Sequence, residues 1–313
     1  MKRFLAIEIG GTKLQLAAGN ARGDILQRWR FDVDPARRDV GIRGQIESVL
    51  PEILRAHEIA AIGVGFGGPV DSRTGQICCS HQIEGWSEFQ LGDWLRERTR
   101  RSAAIENDAN VGALGEALRG AGQGRDPVFY VTLGSGVGGG LVEGGNIYHG
   151  AKPGEAEIGH VRLERSGVTV EDRCSGWAVD AKILAAAGRN PTSVLARLIS
   201  GMVRGQAREL ARALGESCPI ARSILSEVAE DLAFGLSHVT HLLHPEVIVL
   251  GGGLSLIGEP LRAAVATALR RFVMEAFAPG PQVALAALQE DAVPVGALLL
   301  AASQFSDASG AKL

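Results

Sequence analysis

A carboxylate set between two amides is the group in this chain best suited to move a proton. The stretch Ala104–Asn110 reads Ala-Ile-Glu-Asn-Asp-Ala-Asn, with apolar residues leading in and a helical pattern, Ala109–Leu118, leading out. Asp108 therefore stands where a strand ends and a helix begins. An acid at that junction is either a helix cap, accepting an N–H from the first turn, or a general base in the crevice outside the carboxyl end of a strand.

Other chemistry-bearing residues cluster around glycines. Gly10-Gly11-Thr12-Lys13 follows a β-branched run. It reads as a hairpin turn or as a phosphate cradle in which N–H groups and the Thr12 hydroxyl converge on phosphate oxygens and Lys13 adds charge. It is not a P-loop, since the spacing to the lysine and the following helix are both missing. Gly134-Ser135-Gly136 repeats the pattern, and Gly251-Gly252-Gly253 ends a third apolar run. At Gly67-Gly68 the missing side chains suit either a turn or a polar ligand meeting backbone. Glu157 and His160, three apart, fit one helical turn or an ordinary surface loop after Pro153. Asp180, on a helical pattern from Cys174 to Ala187, points into a cleft or forms a surface ion pair.

The elements that must carry these residues come in two similar halves. Strands are expected at Phe4–Ile9, Leu14–Gly19 and from Gly23 to Phe31, then a helix over Gly41–His57, a strand at Ile59–Phe66, a helix at about Leu91–Arg100 and a strand at Ser102–Glu106. Trp86, ahead of that second helix, reads as a domain-surface anchor. Gly120–Asp126 is polar and glycine-rich, a hinge composition. Beyond it strand, glycine turn and strand recur at Val128–Leu133 and Val137–Val142. Long helical patterns cover Met202–Leu214 and Ile220–Leu243, a buried strand Glu246–Leu250, and further helices Pro260–Phe277 and Val295–Phe305, with a strand near Val283. Ser306–Leu313 reads as a tail. Two halves that open alike imply paired phosphate-facing hairpins, with domains at 1–120 and 121–313 and the closing helix, about 295–305, a candidate to pack back on the first.

Composition narrows the partners. The 313 residues are 46% hydrophobic and 21% charged, enough for two cores. A net charge of -3 offers no basic field for nucleic acid and no polybasic segment for a membrane. The apolar run Ala292–Ala302 is too short for a membrane span. Cys78, Cys79, Cys174 and Cys218 contain no CxxC pair, which fits lone buried thiols and a reducing cytoplasm.

Five segments taken together resemble the ROK family of bacterial sugar kinases and sugar-responsive repressors: Glu8-Ile-Gly-Gly-Thr-Lys13, Glu106-Asn-Asp-Ala-Asn110, Leu133-Gly-Ser-Gly-Val-Gly-Gly-Gly140, Glu157-Ile-Gly-His160 and His244 through Gly253. The resemblance implies an α/β, two-domain actin-like ATPase (ribonuclease H-like) fold with an interdomain cleft, and an ATP-dependent hexose kinase, a glucokinase acting on the 6-hydroxyl. It makes Asp108 the general base and Gly68, Asn107, Glu157, His160 and Asp180 the sugar-binding set. Glu8, Gly10, Gly11, Thr12, Lys13, Gly134, Ser135 and Gly136 would face the phosphates, and Gly251, Gly252 and Gly253 the adenosine. Mg2+ would enter with ATP, the protein would be a cytoplasmic homodimer, and the two halves would close around the hinge. Alternatives are a kinase for N-acetylglucosamine, N-acetylmannosamine or fructose, and a non-catalytic sugar-binding or regulatory protein. DNA binding is not expected, since the first strand begins at Phe4, without room for a helix-turn-helix ahead of it.

Three departures from the family pattern stand out. Its first motif usually opens with Asp, here Glu8. Where many members bind structural zinc through three cysteines and the motif histidine, the cysteine positions hold Glu171, Arg173 and Ala178, so no zinc is expected and the loop should be held by packing, through Trp177. Asp180 replaces a Glu, shortening a presumed sugar contact.

Overall fold

From Arg3 to Ile9 the chain forms β1, whose side chains are nearly all buried because both faces of its sheet are covered. A tight turn returns it as β2, Lys13–Gly19, and β3, Ile25–Asp32, adds the edge. The computed structural model describes residues 2–80, 83–151, 154 and 156–309. Helix α1, Arg38–Ala56, leads to β4, Ile59–Phe66. A small hairpin of β5, Val70–Asp71, and β6, Gln76–Ile77, precedes α2, Leu91–Thr99. Then come β7, Ser102–Asn107, and α3, Asp108–Arg119. The strands order as β3-β2-β1-β4-β7, with β1, β4 and β7 parallel.

The second half repeats that order. Strands β8, Val128–Leu133, β9, Val137–Glu143, and β10, Asn146–Ile147, are joined later by β11, Val247–Gly251, and β12, Gln282–Leu285. They order as β10-β9-β8-β11-β12, so each sheet places its third, second, first, fourth and fifth strand side by side. Between β10 and β11 run α4, Val170–Cys174, α5, Gly176–Arg189, α6, Val194–Leu198, α7, Leu210–Gly215, and α8, Pro219–Leu243. Helix α9, Glu259–Phe272, connects β11 to β12, and α10, Ala292–Ser309, ends the described chain.

Packing divides the chain into a first unit, Met1–Gly124 with Gly140–Ala156 and Glu290–Leu313, and a second, Arg125–Gly139 with Glu157–Gln289. Where two contiguous segments were expected, the units are discontinuous. The chain crosses between them four times, once inside β9. In the first unit α1 and α2 cover one face of the sheet over Leu5, Ile7, Leu14, Leu16 and Ile62, each essentially inaccessible. Burying each such side chain contributes about 1.5–3 kcal/mol. Helices α3 and α10 cover the other face over Phe4, Ala6 and Ala61. This approach is close enough to require glycine, because a methyl on Gly63 would stand 1.9 Å from the Ala297 carbonyl oxygen.

Several expectations change. Trp86 is not a surface anchor: it is fully buried in the first core, edge-on to Phe66 and Phe89. The long helix expected over 202–214 is a short 3-10 turn, Gln206–Glu209, followed by α7. Gly201 and Gly205, at φ 80° and 81°, break it. The pattern from Cys174 splits at Ser175, whose extended backbone ends α4 and caps α5, and the one from Pro260 stops at Phe272, leaving a separate 3-10 turn, Glu275–Phe277. Cys174 and Cys218 are buried, but Cys78 and Cys79 are only half-buried. Pro153 and the last four tail residues, 310–313, lie outside the described residues.

Candidate active site

Strand register brings three loops of the first unit to one edge. Ile9 pairs with Phe66 and Phe66 with Asn107 across β1, β4 and β7, so Gly10, Gly67 and Asp108 are the first residues beyond the three parallel strands. That is the carboxyl edge at which open α/β sheets bind ligands. The Gly67 N–H donates to the Ile9 carbonyl at 2.8 Å, holding the middle loop down. A methyl on Gly67 would stand 3.4 Å from Asp108 Oδ2 and 3.7 Å from Gly10 Cα. Position 67 thus lies directly beside the Asp108 carboxylate, within ordinary contact range.

The junction resolves which residue caps α3. Asn107, in extended conformation, is the cap: its Oδ1 accepts the N–H groups of Ala109 at 2.8 Å and Asn110 at 3.3 Å. Asp108 is the first helical residue instead. Asn107 Nδ2 donates to the Gly68 carbonyl at 3.2 Å, so the amide oxygen is engaged twice and one amide hydrogen is used. For Asn107 this narrows the expected sugar contact to a donor. Gly68 itself is tightly enclosed, since a methyl there would stand 3.0 Å from the Cys79 carbonyl oxygen and 3.2 Å from the Phe66 ring.

Beneath this junction lies a group whose role was not read from the motif. Glu106 is buried, and its carboxylate accepts the Asn107 N–H at 2.9 Å, Asn110 Nδ2 at 3.2 Å and His149 Nε2 at 2.5 Å. Three donors compensate a carboxylate removed from water. They also fix the backbone on which Asp108 sits. A cavity of about 340 Å³ opens beside it, lined by Asp71, Arg73, Glu106, His149 and Gln304. A signal was available in the sequence, because an acid on the strand immediately before the Asn-Asp pair must find partners inside the fold.

At the β1–β2 turn the Gly10 N–H donates to the Lys13 carbonyl at 3.0 Å, closing Gly10–Lys13 as a hairpin. The Thr12 carbonyl accepts from Val33 N at 3.2 Å. Glu8 Oε1 lies 3.3 Å from Lys13 Nζ, and its other oxygen accepts from the buried Gln15 side chain. The longer acid is thus anchored by two neighbours of its own hairpin. Carboxylate oxygens are the hard donors Mg2+ takes, so Glu8 fits a cation that arrives with a nucleotide.

The second unit carries the remaining candidates. Gly134, Ser135 and Gly136 form the β8–β9 turn, closed by the Gly134 N–H on the Gly136 carbonyl at 2.9 Å. Glu157 precedes a 3-10 turn, Ile158–His160, that buries Ile158 and Gly159 and leaves both Glu157 and His160 exposed. Of the three glycines at the end of β11 and just beyond it, two are explained by packing. A methyl on Gly251 would strike the Tyr130 ring, and Gly252, at φ 76°, lies against the Leu133 backbone; Gly253 faces open space.

Asp180, expected as a sugar contact, is engaged by backbone N–H groups. Its Oδ1 accepts the Ala207 N–H at 2.6 Å and its Oδ2 the Gly205 N–H at 3.0 Å, so it anchors the 3-10 turn after Gly205. Trp177 does not hold the loop in place of zinc, for it is 66% exposed. That loop is held by a reciprocal cap between Thr169 and Asp172, by the Arg173–Glu164 ion pair at 3.2 Å and by buried Val170 and Cys174. Burial pushes the Cys174 thiol up to about 12, so it stays protonated, with its Sγ on the Val228 carbonyl at 3.7 Å. Among the described residues no three His, Cys, Asp or Glu side chains are grouped to hold a metal, and no helix is long and apolar enough to cross a membrane.

Comparison with known proteins follows the same outline. The family model described as "ROK family" matches residues 4–304. The glucokinase of Halalkalibacterium halodurans is 30% identical over 307 residues, covering 94% of this chain and 93% of the relative. That of Thermotoga maritima is 30% identical over 305 residues, covering 94% and 96%. Among solved structures, a ROK family glucokinase from Streptomyces griseus in complex with glucose and AMPPNP superposes with a TM-score of 0.86 at 30% identity, covering 96% of this chain and 99% of that one. With its two sheets of matching strand order, the fold is the α/β actin-like ATPase fold. The chain belongs to the ROK family.

Proposed function

We propose that this protein is an ATP-dependent hexose kinase, a glucokinase that phosphorylates the sugar 6-hydroxyl with Asp108 as general base. One observation carries the reading: strand register sets Asp108 beside Gly10 and Gly67 at the carboxyl edge of the parallel strands, with Asn107 as the residue that caps α3. Asp108 takes the hydroxyl proton as the sugar oxygen attacks the γ-phosphorus and the bond to ADP breaks. Asn107 offers its second amide hydrogen to a sugar hydroxyl, and the exposed Glu157 and His160 add an acceptor and an imidazole. The turns Gly10–Lys13 and Gly134–Gly136 take the phosphates through backbone N–H groups, and Gly253 is the glycine of its cluster open to the adenosine. Glu8 is the residue that would meet a Mg2+ entering with ATP, and the ion would supply neutralisation of phosphate charge.

Coupled ADP release over a panel of hexoses tests this. Glucose should give the highest kcat/KM, and absence of ADP release with every sugar would exclude the kinase reading. A second reading, a kinase for N-acetylglucosamine, N-acetylmannosamine or fructose, draws on Asp180. With both its oxygens on backbone N–H groups, Asp180 offers a sugar hydroxyl fewer acceptor sites than an unengaged carboxylate would. Free cysteines support a cytoplasmic location. A homodimer has support in an exposed stripe on α5 of Trp177, Ala181, Leu184, Ala185 and Gly188, a pattern that marks protein contacts.

A further inference from the structure

Glu171 turns its carboxylate onto the β8–β9 glycine turn. Its Oε2 accepts the Val137 N–H at 2.8 Å, and a methyl on Gly136 would stand 2.5 Å from the same oxygen. From five residues further along, the Gly176 N–H donates to the Gly134 carbonyl at 2.7 Å. The segment from Glu171 to Gly176 therefore grips the turn at both ends, while the Gly134 N–H closes it internally on Gly136 at 2.9 Å.

That segment is itself held firmly. The Thr169 N–H donates to Asp172 Oδ2 at 2.9 Å and the Asp172 N–H to Thr169 Oγ1 at 3.2 Å, a reciprocal cap at the start of α4. Val170 and Cys174 are fully buried, and the Val170 N–H donates to the Val161 carbonyl at 2.9 Å, beside His160. On the other side of Val137, Gly159 lies so close that a methyl there would stand 2.2 Å from the Val137 carbonyl oxygen. Val137 is thereby fixed between the Glu171 carboxylate and the Glu157–His160 turn.

Glycine turns sample many backbone conformations, so a turn meant to present N–H groups in one arrangement needs support from outside itself. A charged acceptor on a backbone N–H is about twice as strong as a neutral one. We infer that Glu171 is a positioning residue for the Gly134–Gly136 turn, holding its backbone in the arrangement that receives the nucleotide phosphates. The inference rests on the ATP-dependent kinase reading and adds to it a residue at a position where many relatives are expected to carry a zinc-binding cysteine. In this chain a carboxylate ties the segment directly to the turn.

Calorimetric titration of AMPPNP with Mg2+ into wild type, Glu171→Ala and Glu171→Gln tests it, alongside steady-state kinetics with glucose. Glu171→Ala should weaken AMPPNP binding and raise the KM for ATP by about ten-fold, from loss of a hydrogen bond to a charged acceptor, with the KM for glucose unchanged. Glu171→Gln, whose amide oxygen still accepts the Val137 N–H, should recover most of that loss, which a merely destabilised loop would not show. Wild-type affinity or tighter binding in Glu171→Ala, or a Glu171→Gln as weak as the alanine variant, would overturn the positioning role alone. A wild-type protein that neither binds AMPPNP nor turns over ATP would overturn the kinase reading and this inference with it.

Discussion

Asn107 Oδ1 accepts the Ala109 N–H at 2.8 Å, so the residue before Asp108 closes the start of α3. Two adjacent side chains that look interchangeable at a strand-to-helix junction thereby have separate tasks. Asn107→Ala should lose about 1 kcal/mol of unfolding free energy, the usual cost of removing a cap. Asp108→Asn, which keeps the side chain's size and leaves the cap in place, should lose less than that. Urea denaturation of both variants decides the assignment, and it is wrong if Asp108→Asn is the more destabilised.

Two glycines of the first unit should respond in opposite ways to alanine. At Gly63 the added methyl meets the backbone of α10, 1.9 Å from the Ala297 carbonyl oxygen. Backbone cannot rotate aside, so Gly63→Ala should cost roughly 1–3 kcal/mol or more. Gly44, exposed within α1, has open space at the same position, and alanine there should gain about 0.5–1 kcal/mol from helix propensity. Thermal unfolding of the pair checks whether α10 belongs to the first core, and equal melting temperatures would contradict it.

Asp172 links the α4 cap to pH. The Thr169 N–H, then the Thr169 hydroxyl, hold its carboxyl below the ordinary 3.8. A group with a depressed folded-state value contributes stability above its unfolded value and loses it as pH falls through the folded one. Asp172→Asn should therefore be less stable than wild type at pH 7, by under about 1 kcal/mol because the group is exposed to solvent. The gap should shrink as pH drops below 3.8. Denaturation at pH 7 and pH 3 measures it, and a gap that widens in acid would reverse the sign.

Legibility in the sequence followed the range of the interaction. Both glycine hairpins could be read because an apolar strand, a turn and a returning strand are local, and their repetition pointed to two matching sheets. The burial of Trp86 is not legible locally, because its setting, between Gly85 and Ser87, is polar, while Phe66, which packs edge-on to it, lies twenty residues away. The helix expected over 202–214 followed apolar spacing but not the positive φ of Gly201 and Gly205. Asp180 was recognisable as a polar group on α5, but its partners, the N–H groups of Gly205 and Ala207, are contributed by a loop beyond α6. The division of labour between Asn107 and Asp108 depends on the backbone angles of one residue, which spacing alone does not contain.

Asp108→Asn assayed for both sugar binding and turnover tests the central claim most directly. Removing a positioned general base should cut kcat by at least ~10²-fold, while glucose affinity, measured by calorimetry, stays near that of wild type. A variant that turns over glucose at the wild-type rate would contradict the account.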